Sequence, residues 1–226
     1  RPETVALIPN GIAFRSQFCL DIEEQLVIRQ NLIKSLTEKS AVKILSTNVH
    51  MSWVLCMARV HPKKGQEHVL NLWATLPAKI LENNLLIFVG AETSPGALEH
   101  LRSEIEKNPN KQSIVYAGFT QTPSEWIGAS DLFISGSEFE GMPLGPIEAV
   151  CSGVPCFVSD IPGHSMLPSL NNDLMIQKFN TILPTEESTN LQKVLEKIVE
   201  LRMQDTAFKA FRETSIDETS SCRESL

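Results

Sequence analysis

The residues most suited to chemistry lie in a single loop, which follows an apolar run at Leu132–Ser135. Two glutamates, Glu140 and Glu148, stand there with two glycines and two prolines between them. If a helix begins at Pro146, such a loop can aim several backbone N–H groups at an anion. Glu148 would then lie in the first turn, where the helix dipole favours a carboxylate, or it would accept hydrogen bonds from a ribose. The stretch predicts an anion site beside two carboxylates.

A cluster of cations follows another apolar run, Trp53–Ala58. It consists of Arg59, Lys63 and Lys64, and Gly65 comes next. Arginine offers a planar fork to phosphate oxygens, lysine offers a point charge, and a helix beginning here would add free N–H groups. The cluster favours diphosphate binding, with a solvated basic loop as the alternative interpretation.

A third candidate is Gly118-Phe119, which follows the apolar run Ser113–Tyr116. The glycine would let a ligand approach the backbone and Phe119 would flank a base, although an ordinary turn also explains the pair. The five histidines are scattered, and His164 is the most notable because it closes an Ile-Pro-Gly-His segment. The sequence contains no P-loop, no GxGxxG fingerprint and no DxD or other metal-ligand pattern, which predicts that the site holds no metal.

These loops are expected to be positioned by short apolar strands that alternate with helices. The predicted strands are Val5–Ile8, Trp53–Ala58, Leu85–Val89, Ser113–Tyr116, Leu132–Ser135, Pro155–Ser159 and Leu174–Ile176. The predicted helices are Ile22–Leu36, Gly65–Ile80, Ala97–Glu106, Ser124–Ala129, Pro146–Ser152 and Leu191–Arg202. This alternation predicts an α/β fold with a Rossmann-like, doubly wound parallel sheet. Ligands bind such sheets beyond the carboxyl ends of the strands, where the three loops would meet.

Composition narrows the class of protein. The chain has 226 residues, 42% of them hydrophobic, which is enough for one sizeable core. A net charge of −7 argues against nucleic acid as a partner. Five cysteines without a CxxC pair, and no apolar stretch long enough to span a membrane, predict a reducing, cytoplasmic location. The sequence predicts one domain over residues 1–213 and a mobile, Ser-, Thr- and Glu-rich tail over residues 214–226.

The ordered set of motifs resembles the C-terminal half of retaining GT-B glycosyltransferases, especially family 4, the glycosyl transferases group 1. The Glu140-x7-Glu148 spacing resembles the family's E-x7-E motif. Ala58-Arg59 with Lys64-Gly65 resembles its diphosphate clamp, and Pro9-Asn10-Gly11 resembles the opening of its C-terminal domain. Around the glutamates, the matching residues are Ser137, Glu140, Gly141, Glu148, Ala149, Gly153 and Pro155.

The resemblance implies one half of a GT-B fold, with the N-terminal, acceptor-binding domain absent from this chain. It implies transfer of a sugar, with retention and without metal or cofactor, from a nucleotide diphosphate sugar to a growing glycan or a lipid-linked saccharide. Any peripheral association of the protein with a membrane would depend on the absent half, as is usual in this family. Arg59 and Lys64 would bind the diphosphate and stabilise the leaving nucleotide, and Glu140 would contact the sugar near the reacting centre.

The other implied contacts concern the nucleotide and the loop backbone. Glu148 would bind the ribose hydroxyls, and Gly118 and Phe119 would touch the base. The implied substrate-binding residues of the loop are Ser137, Gly141, Met142, Pro143 and Leu144, the last four through their backbone.

Three positions depart from the family pattern. Ala58 replaces the usual glycine before the clamp arginine, Met142-Pro143 replaces Phe-Gly, and Met166 stands where many members carry glutamate. Pro143 removes one N–H donor from the loop. These departures leave open a non-catalytic nucleotide-sugar-binding module, a GT-B sugar-nucleotide epimerase, or a doubly wound domain for another small ligand. The isolated chain is expected to bind its donor without efficient transfer, because transfer requires closure of two domains.

Overall fold

The computed structural model of the chain describes residues 21–167, 173–181 and 184–221. The predicted strand Val5–Ile8 and the Pro9-Asn10-Gly11 turn lie outside these residues. Within the described part, six strands form a single parallel sheet with the order β3-β2-β1-β4-β5-β6. The strands are β1 (Ser52–Met57), β2 (Asn84–Val89), β3 (Ile114–Gly118), β4 (Leu132–Ser135), β5 (Cys156–Ser159) and β6 (Ile176–Phe179).

Helices cover both faces of the sheet, which confirms the predicted doubly wound α/β fold. Along β1, Trp53 and Leu55 pack into one apolar layer, while Val54 and Cys56 pack into the other. This alternation follows from the two-residue period of a strand and explains why β1 is apolar at consecutive positions from Trp53 to Met57. The helices are α1 (Ile22–Ser35), α2 (Lys39–Thr47), α3 (Gln66–Ala74), α4 (Ala78–Leu81), α5 (Ala97–Lys107), α6 (Pro123–Ala129), α7 (Leu144–Cys151), α8 (Pro184–Arg202) and α9 (Asp205–Ser221).

The helical segments depart from prediction in two places before β2. The predicted helix Gly65–Ile80 is divided into α3 and α4, because Pro77 caps the start of α4 and has no N–H to continue the preceding helix. Helix α2 was not predicted, although Ala41 and Leu45 bury its apolar side in the core.

The C-terminal segment also differs from expectation. Residues from 214 onward were predicted to form a mobile tail, but α9 continues to Ser221, and residues 222–226 lie outside the described part. Ser215 and Ile216 are buried. The backbone of α9 passes directly over Gly153, where an added Cβ would lie 2.7 Å from the Arg212 carbonyl oxygen. Packing against the turn after α7 therefore orders a segment whose composition is that of a tail.

A buried charged cluster fastens the helices to the sheet at the amino end of β4. Asp131 pairs with Arg29 of α1 at 2.6 Å and with Arg202 of α8. Arg212 of α9 donates hydrogen bonds to carbonyls at the end of α6, at 3.0 and 3.2 Å. Burial lowers the pKa of Arg29 to about 10. Burial alone would raise the pKa of Asp131, but the charges of Arg202 and Arg29 outweigh it and hold that pKa below its ordinary value.

No helix in the described part of the chain is both long enough and apolar enough to cross a membrane.

Candidate functional site

The loops after β1 and β4 meet at the carboxyl edge of the sheet. The two strands are neighbours, but the chain leaves β1 toward β2 and leaves β4 toward β5, so a crevice opens between their loops. Gly65 has φ +60°, and a Cβ there would lie 1.8 Å from the Gly136 carbonyl oxygen. The Glu138 N–H donates to the Lys63 carbonyl at 3.1 Å. The absence of a side chain at Gly65 and at Gly136 therefore brings the basic loop against the glutamate loop.

Two of the predicted site residues bind each other in this crevice. The Lys64 Nζ lies 2.7 Å from Oε1 and 2.8 Å from Oε2 of Glu140. Both side chains are largely buried, with 19% and 14% exposure. Ser137, predicted to contact substrate, is buried instead, and its hydroxyl donates to Glu140 Oε1 at 2.7 Å. Ser137 and Lys64 thus fix the direction of the Glu140 carboxylate.

A second layer of residues supports Glu140 from β5 and the turn that follows it. The Ser159 hydroxyl donates to the Ser137 carbonyl at 2.5 Å, and His164 Nδ1 lies 2.7 Å from the Ser159 carbonyl. A Cβ on Gly163 would lie 2.3 Å from the Glu140 carbonyl oxygen. Sequence reasoning singled out His164 but missed Ser159 and Gly163, since a serine or glycine after a strand carries no distinct signal.

Arg59 is exposed at the mouth of the crevice. Its guanidinium makes no hydrogen bond or ion pair within the described residues, whereas its carbonyl accepts a hydrogen bond from Gln66 Nε2 at 2.9 Å. The backbone is fixed further by Gly90, where a Cβ would lie 1.9 Å from the Ala58 carbonyl oxygen. The backbone of Arg59 is therefore held in place while its side chain stays available for an anion.

Helix α7 begins at Leu144, two residues earlier than predicted. The Leu144 N–H, which was expected to face a ligand, donates to the Met142 carbonyl at 3.0 Å. The Gly145 N–H has no partner among the described residues, so it is the first uncommitted donor of the helix. A Cβ on Gly145 would lie 2.9 Å from the Phe133 ring, which places this backbone tightly on the sheet. Pro143 is buried and contributes no donor.

Glu148 lies one helical turn after Leu144, on the same face of α7. It is half-buried, and burial raises the pKa of its carboxyl group. The carboxylate has no hydrogen-bond or ion-pair partner in the part of the chain that the structure describes. Because α7 starts earlier than expected, Glu148 lies beyond the first turn, where the dipole interaction is strongest. An acceptor for ligand hydroxyls therefore explains Glu148 better than a structural role does.

Gly118 and Phe119 lie at the same edge of the sheet, but farther from the crevice. They follow β3, which is separated from β1 by β2, a distance of roughly 10 Å at the usual strand spacing. Gly118 has φ +86°, and Phe119 is 67% exposed. An exposed ring at this distance can meet the far end of an extended ligand that starts at Arg59. Met142 is partly buried and Gly141 is exposed beside the crevice.

Within the described ranges, no group of three or more His, Cys, Asp or Glu side chains could hold a metal ion. No disulfide joins the cysteines of those ranges, which are Cys56, Cys151 and Cys156.

The chain is similar in sequence to known glycosyltransferases. The family model of glycosyl transferases group 1 matches residues 41–209. A galactosyltransferase of Escherichia coli, named UDP-Gal:alpha-D-GlcNAc-diphosphoundecaprenol alpha-1,3-galactosyltransferase, is 27% identical over 186 residues, covering 80% of this chain and 43% of that protein. The lipopolysaccharide core biosynthesis mannosyltransferase LpsB of Rhizobium meliloti (strain 1021) is 31% identical over 130 residues, covering 56% of this chain and 36% of that protein. The chain thus spans less than half the length of these relatives.

Solved structures show the same fold. The glycosyltransferase WaaG, involved in lipopolysaccharide biosynthesis, superposes with a TM-score of 0.64 at 20% identity, over 96% of this chain and 52% of WaaG. Anabaena HepE in complex with UDP and glucose superposes with a TM-score of 0.58 at 18% identity, over 87% of this chain and 54% of HepE. The sheet therefore has the architecture found in GT-B glycosyltransferases. On the family match over most of its length, the chain belongs to the glycosyl transferases group 1 family.

Proposed function

We propose that the chain is the nucleotide-sugar-binding half of a retaining, metal-independent glycosyltransferase. One observation carries the proposal: the crevice between β1 and β4 gathers a guanidinium, a helix N–H and a carboxylate that have no partner among the residues that the structure describes. Arg59 and the Gly145 N–H suit the two phosphates of a nucleotide diphosphate. Glu148 suits the ribose hydroxyls, because a half-buried carboxylate without a partner among the described residues gains from accepting hydrogen bonds.

In this proposal, Arg59 and Lys64 replace a metal ion at the departing nucleotide. When the bond between the sugar and the diphosphate breaks, negative charge accumulates on the phosphate oxygens. Fixed cations that face these oxygens stabilise that charge, which lowers the barrier. Lys64 forms an ion pair with Glu140 in the ligand-free chain. After the donor binds, its ammonium group would contact a phosphate oxygen and the Glu140 carboxylate at the same time.

Glu140 is proposed to bind the sugar rather than to attack it. Its Oε1 accepts hydrogen bonds from both Ser137 and Lys64, and its Oε2 accepts one from Lys64. A carboxylate whose two oxygens are both engaged is a weak nucleophile but a well-oriented acceptor for sugar hydroxyls. We therefore infer a positioning contact close to the reacting carbon, and retention is proposed from the resemblance to the family.

The acceptor and its binding site are proposed to belong to another part of the enzyme. The chain covers 43% of the Escherichia coli relative and 36% of LpsB, which leaves room in such proteins for a second domain. One relative is named for a diphosphoundecaprenol substrate and the other for lipopolysaccharide core biosynthesis. We propose a growing glycan or a lipid-linked saccharide as acceptor, a cytoplasmic site of action, and peripheral contact with a membrane through the other domain. UDP is the first nucleotide to test, because the names of the Escherichia coli relative and the HepE complex both contain it.

A thermal-shift screen with UDP, GDP, ADP, thymidine diphosphate and CMP tests the proposal. A ligand that binds only the native state raises the melting temperature. We expect one nucleoside diphosphate to raise it, and we expect Arg59→Ala and Glu148→Gln each to abolish the rise. Lys79→Ala is the matched control, because it removes an exposed cation from α4, which leads into the amino end of β2. No rise with any nucleotide, either in this chain or in the protein joined to its acceptor half, would refute the proposal.

A further inference from the structure

His164 occupies an unusual place for a histidine. Its side chain is fully buried in the turn Pro162–Met166, directly after Gly163, which packs against the backbone of Glu140. Its Nε2 is shielded and has no hydrogen-bond partner within the described residues. A leucine would fill such a place without leaving a polar atom unpaired. The reason for a histidine at this position must therefore lie in the contacts of its other ring nitrogen, Nδ1.

The Nδ1 atom of His164 faces acceptors. It lies 2.7 Å from the Ser159 carbonyl oxygen and 3.4 Å from the Ser159 hydroxyl. A carbonyl can only accept, so Nδ1 carries the proton, and the shielded Nε2 carries a lone pair. Burial lowers the pKa of His164, although the hydrogen bond to Ser159 and the charge of Glu140 act in the opposite direction. The ring is a neutral donor fixed in one tautomer.

Two further hydrogen bonds, linked through the backbone and hydroxyl groups of Ser159 and Ser137, lead from this donor to the crevice. The Ser159 hydroxyl donates to the Ser137 carbonyl at 2.5 Å, and the Ser137 hydroxyl donates to Glu140 Oε1 at 2.7 Å. Ser137 and Ser159 are buried, and each lies at or just beyond the end of a strand. Because His164 holds the Ser159 backbone, Ser159 holds the Ser137 backbone and Ser137 holds Glu140, a change at His164 can reach the Glu140 carboxylate through the positions of the two serines.

We propose that His164 is a positioning residue that sets the direction of the Glu140 carboxylate toward the donor sugar, acting through Ser159 and Ser137. The inference rests on the proposed function, because it assumes that Glu140 meets the sugar and that Arg59 and Glu148 meet the nucleotide. It therefore separates two parts of donor binding. Loss of the Nδ1–H donor should weaken the sugar contact and leave the nucleotide contacts intact.

The experiment measures the Kd of a nucleotide and of its nucleotide sugar by calorimetry, in the wild-type chain and in variants. The pairs are UDP with UDP-galactose, UDP with UDP-glucose, and GDP with GDP-mannose; the pair that the wild type binds most tightly is used. His164→Leu removes the donor, whereas His164→Asn keeps an N–H close to the position of Nδ1. We expect His164→Leu to raise the ratio of the nucleotide-sugar Kd to the nucleotide Kd about tenfold. That factor corresponds to the loss of one hydrogen bond between a sugar hydroxyl and the charged Glu140 carboxylate. His164→Asn should stay within about threefold of the wild-type ratio.

Ser159→Ala and Ser113→Ala supply the matched comparisons. Ser159→Ala breaks the same chain one step closer to Glu140, so it should reproduce the effect of His164→Leu, and the double variant should add little. Ser113 is also buried and accepts a hydrogen bond from Trp73 Nε1 at 2.9 Å, at the opposite edge of the sheet. Its replacement should lower the melting temperature without changing the ratio. A general loss of stability is thereby separated from a change in position.

Several results would overturn the inference. An unchanged ratio in His164→Leu would reduce the histidine to a space-filling residue, and an equal rise in His164→Asn and His164→Leu would assign the effect to the shape of the ring. A side-chain ¹⁵N spectrum that places the His164 proton on Nε2 would break the chain at its first step without any ligand present. Failure of the wild type to bind any of the nucleotides is a different result, since it refutes the proposed function and the inference with it.

Discussion

Replacing Gly65 by alanine should separate the two loops that form the crevice. At φ +60° a non-glycine residue costs about 1 to 2 kcal/mol. The new Cβ would also lie 1.8 Å from the Gly136 carbonyl oxygen and 2.5 Å from its carbon, both of them backbone atoms that cannot rotate away. Relieving such an overlap costs about another 1 to 3 kcal/mol, so the free energy of unfolding should fall by about 2 to 5 kcal/mol in total.

Gly96→Ala provides the matched control for this prediction. Gly96 has φ +79°, and no described atom lies within 4 Å of its added Cβ, so the variant carries the conformational cost alone. For a domain of this size each kcal/mol lowers Tm by about 2 to 4 °C, so Gly96→Ala should lose about 2 to 8 °C and Gly65→Ala distinctly more. Urea unfolding and thermal unfolding at pH 7 measure both. Because the overlap also moves Lys64 away from Glu140, only Gly65→Ala should weaken nucleotide binding. Equal losses of stability in the two variants, or unchanged binding in Gly65→Ala, would refute this reasoning.

Three further predictions concern the buried titratable groups. Asp131→Asn should destabilise the chain by about 3 to 5 kcal/mol in urea unfolding at pH 7, because it leaves buried arginines without their counter-charge. The pKa of Asp131 is lowered on folding. Its stabilising effect is therefore present above the ordinary aspartate pKa of about 3.9 and is lost as pH falls through the lower pKa of the folded state. Glu148→Gln should raise the melting temperature of the ligand-free chain at pH 7, because burial disfavours the charged carboxylate, and it should weaken nucleotide binding. Nucleotide binding by the wild type should also weaken as pH falls toward the raised pKa of Glu148. An unchanged nucleotide affinity in Glu148→Gln would contradict the role of Glu148 at the ribose. Alkylation at pH 8 followed by peptide mapping should label Cys151 before Cys56 and Cys156, because burial raises the pKa of Cys56 to about 12 and raises that of Cys156 further; early labelling of Cys156 would contradict the described packing.

Sequence reasoning located β1 to β5 well because each has at least three consecutive apolar residues, as a sheet covered on both faces requires, whereas β6 (Ile-Gln-Lys-Phe) overlaps its predicted range Leu174–Ile176 only at Ile176. The β4 bounds agree at both ends, and the bounds of β1, β2 and β5 differ from prediction by a single residue at one or both ends. The course of α9 could not be predicted, because its order comes from contact with Gly153 rather than from its own composition. The local order of apolar and polar residues predicts a strand or a helix, but it does not reveal that a segment packs against a turn that is distant in sequence.

The sequence suggested residues for the candidate site but did not show which of them contact each other. Lys64 and Glu140 were assigned to different parts of a ligand, yet they pair with each other across 76 residues of sequence. Ser137 was expected to contact the substrate, whereas its hydroxyl donates a hydrogen bond to Glu140. Spacing along the chain identifies residues that follow a strand, but only the register of neighbouring strands decides which side chains meet.

The Asp131 cluster has a consequence for the order in which the chain can fold. Its hydrogen bonds join Asp131 to Arg29, 102 residues earlier, and to Arg202, 71 residues later. The Ile22 N–H also donates a hydrogen bond to Asp205 Oδ1 across 183 residues. Contacts of such long range form slowly, because a large loop must close before any of them is made. During synthesis α1 therefore leaves the ribosome before β4 and α8 have been made, so Arg29 has neither Asp131 nor the neighbouring Arg202 beside it at that stage. The buried cluster can form only after α8 has been synthesised and has docked on the sheet.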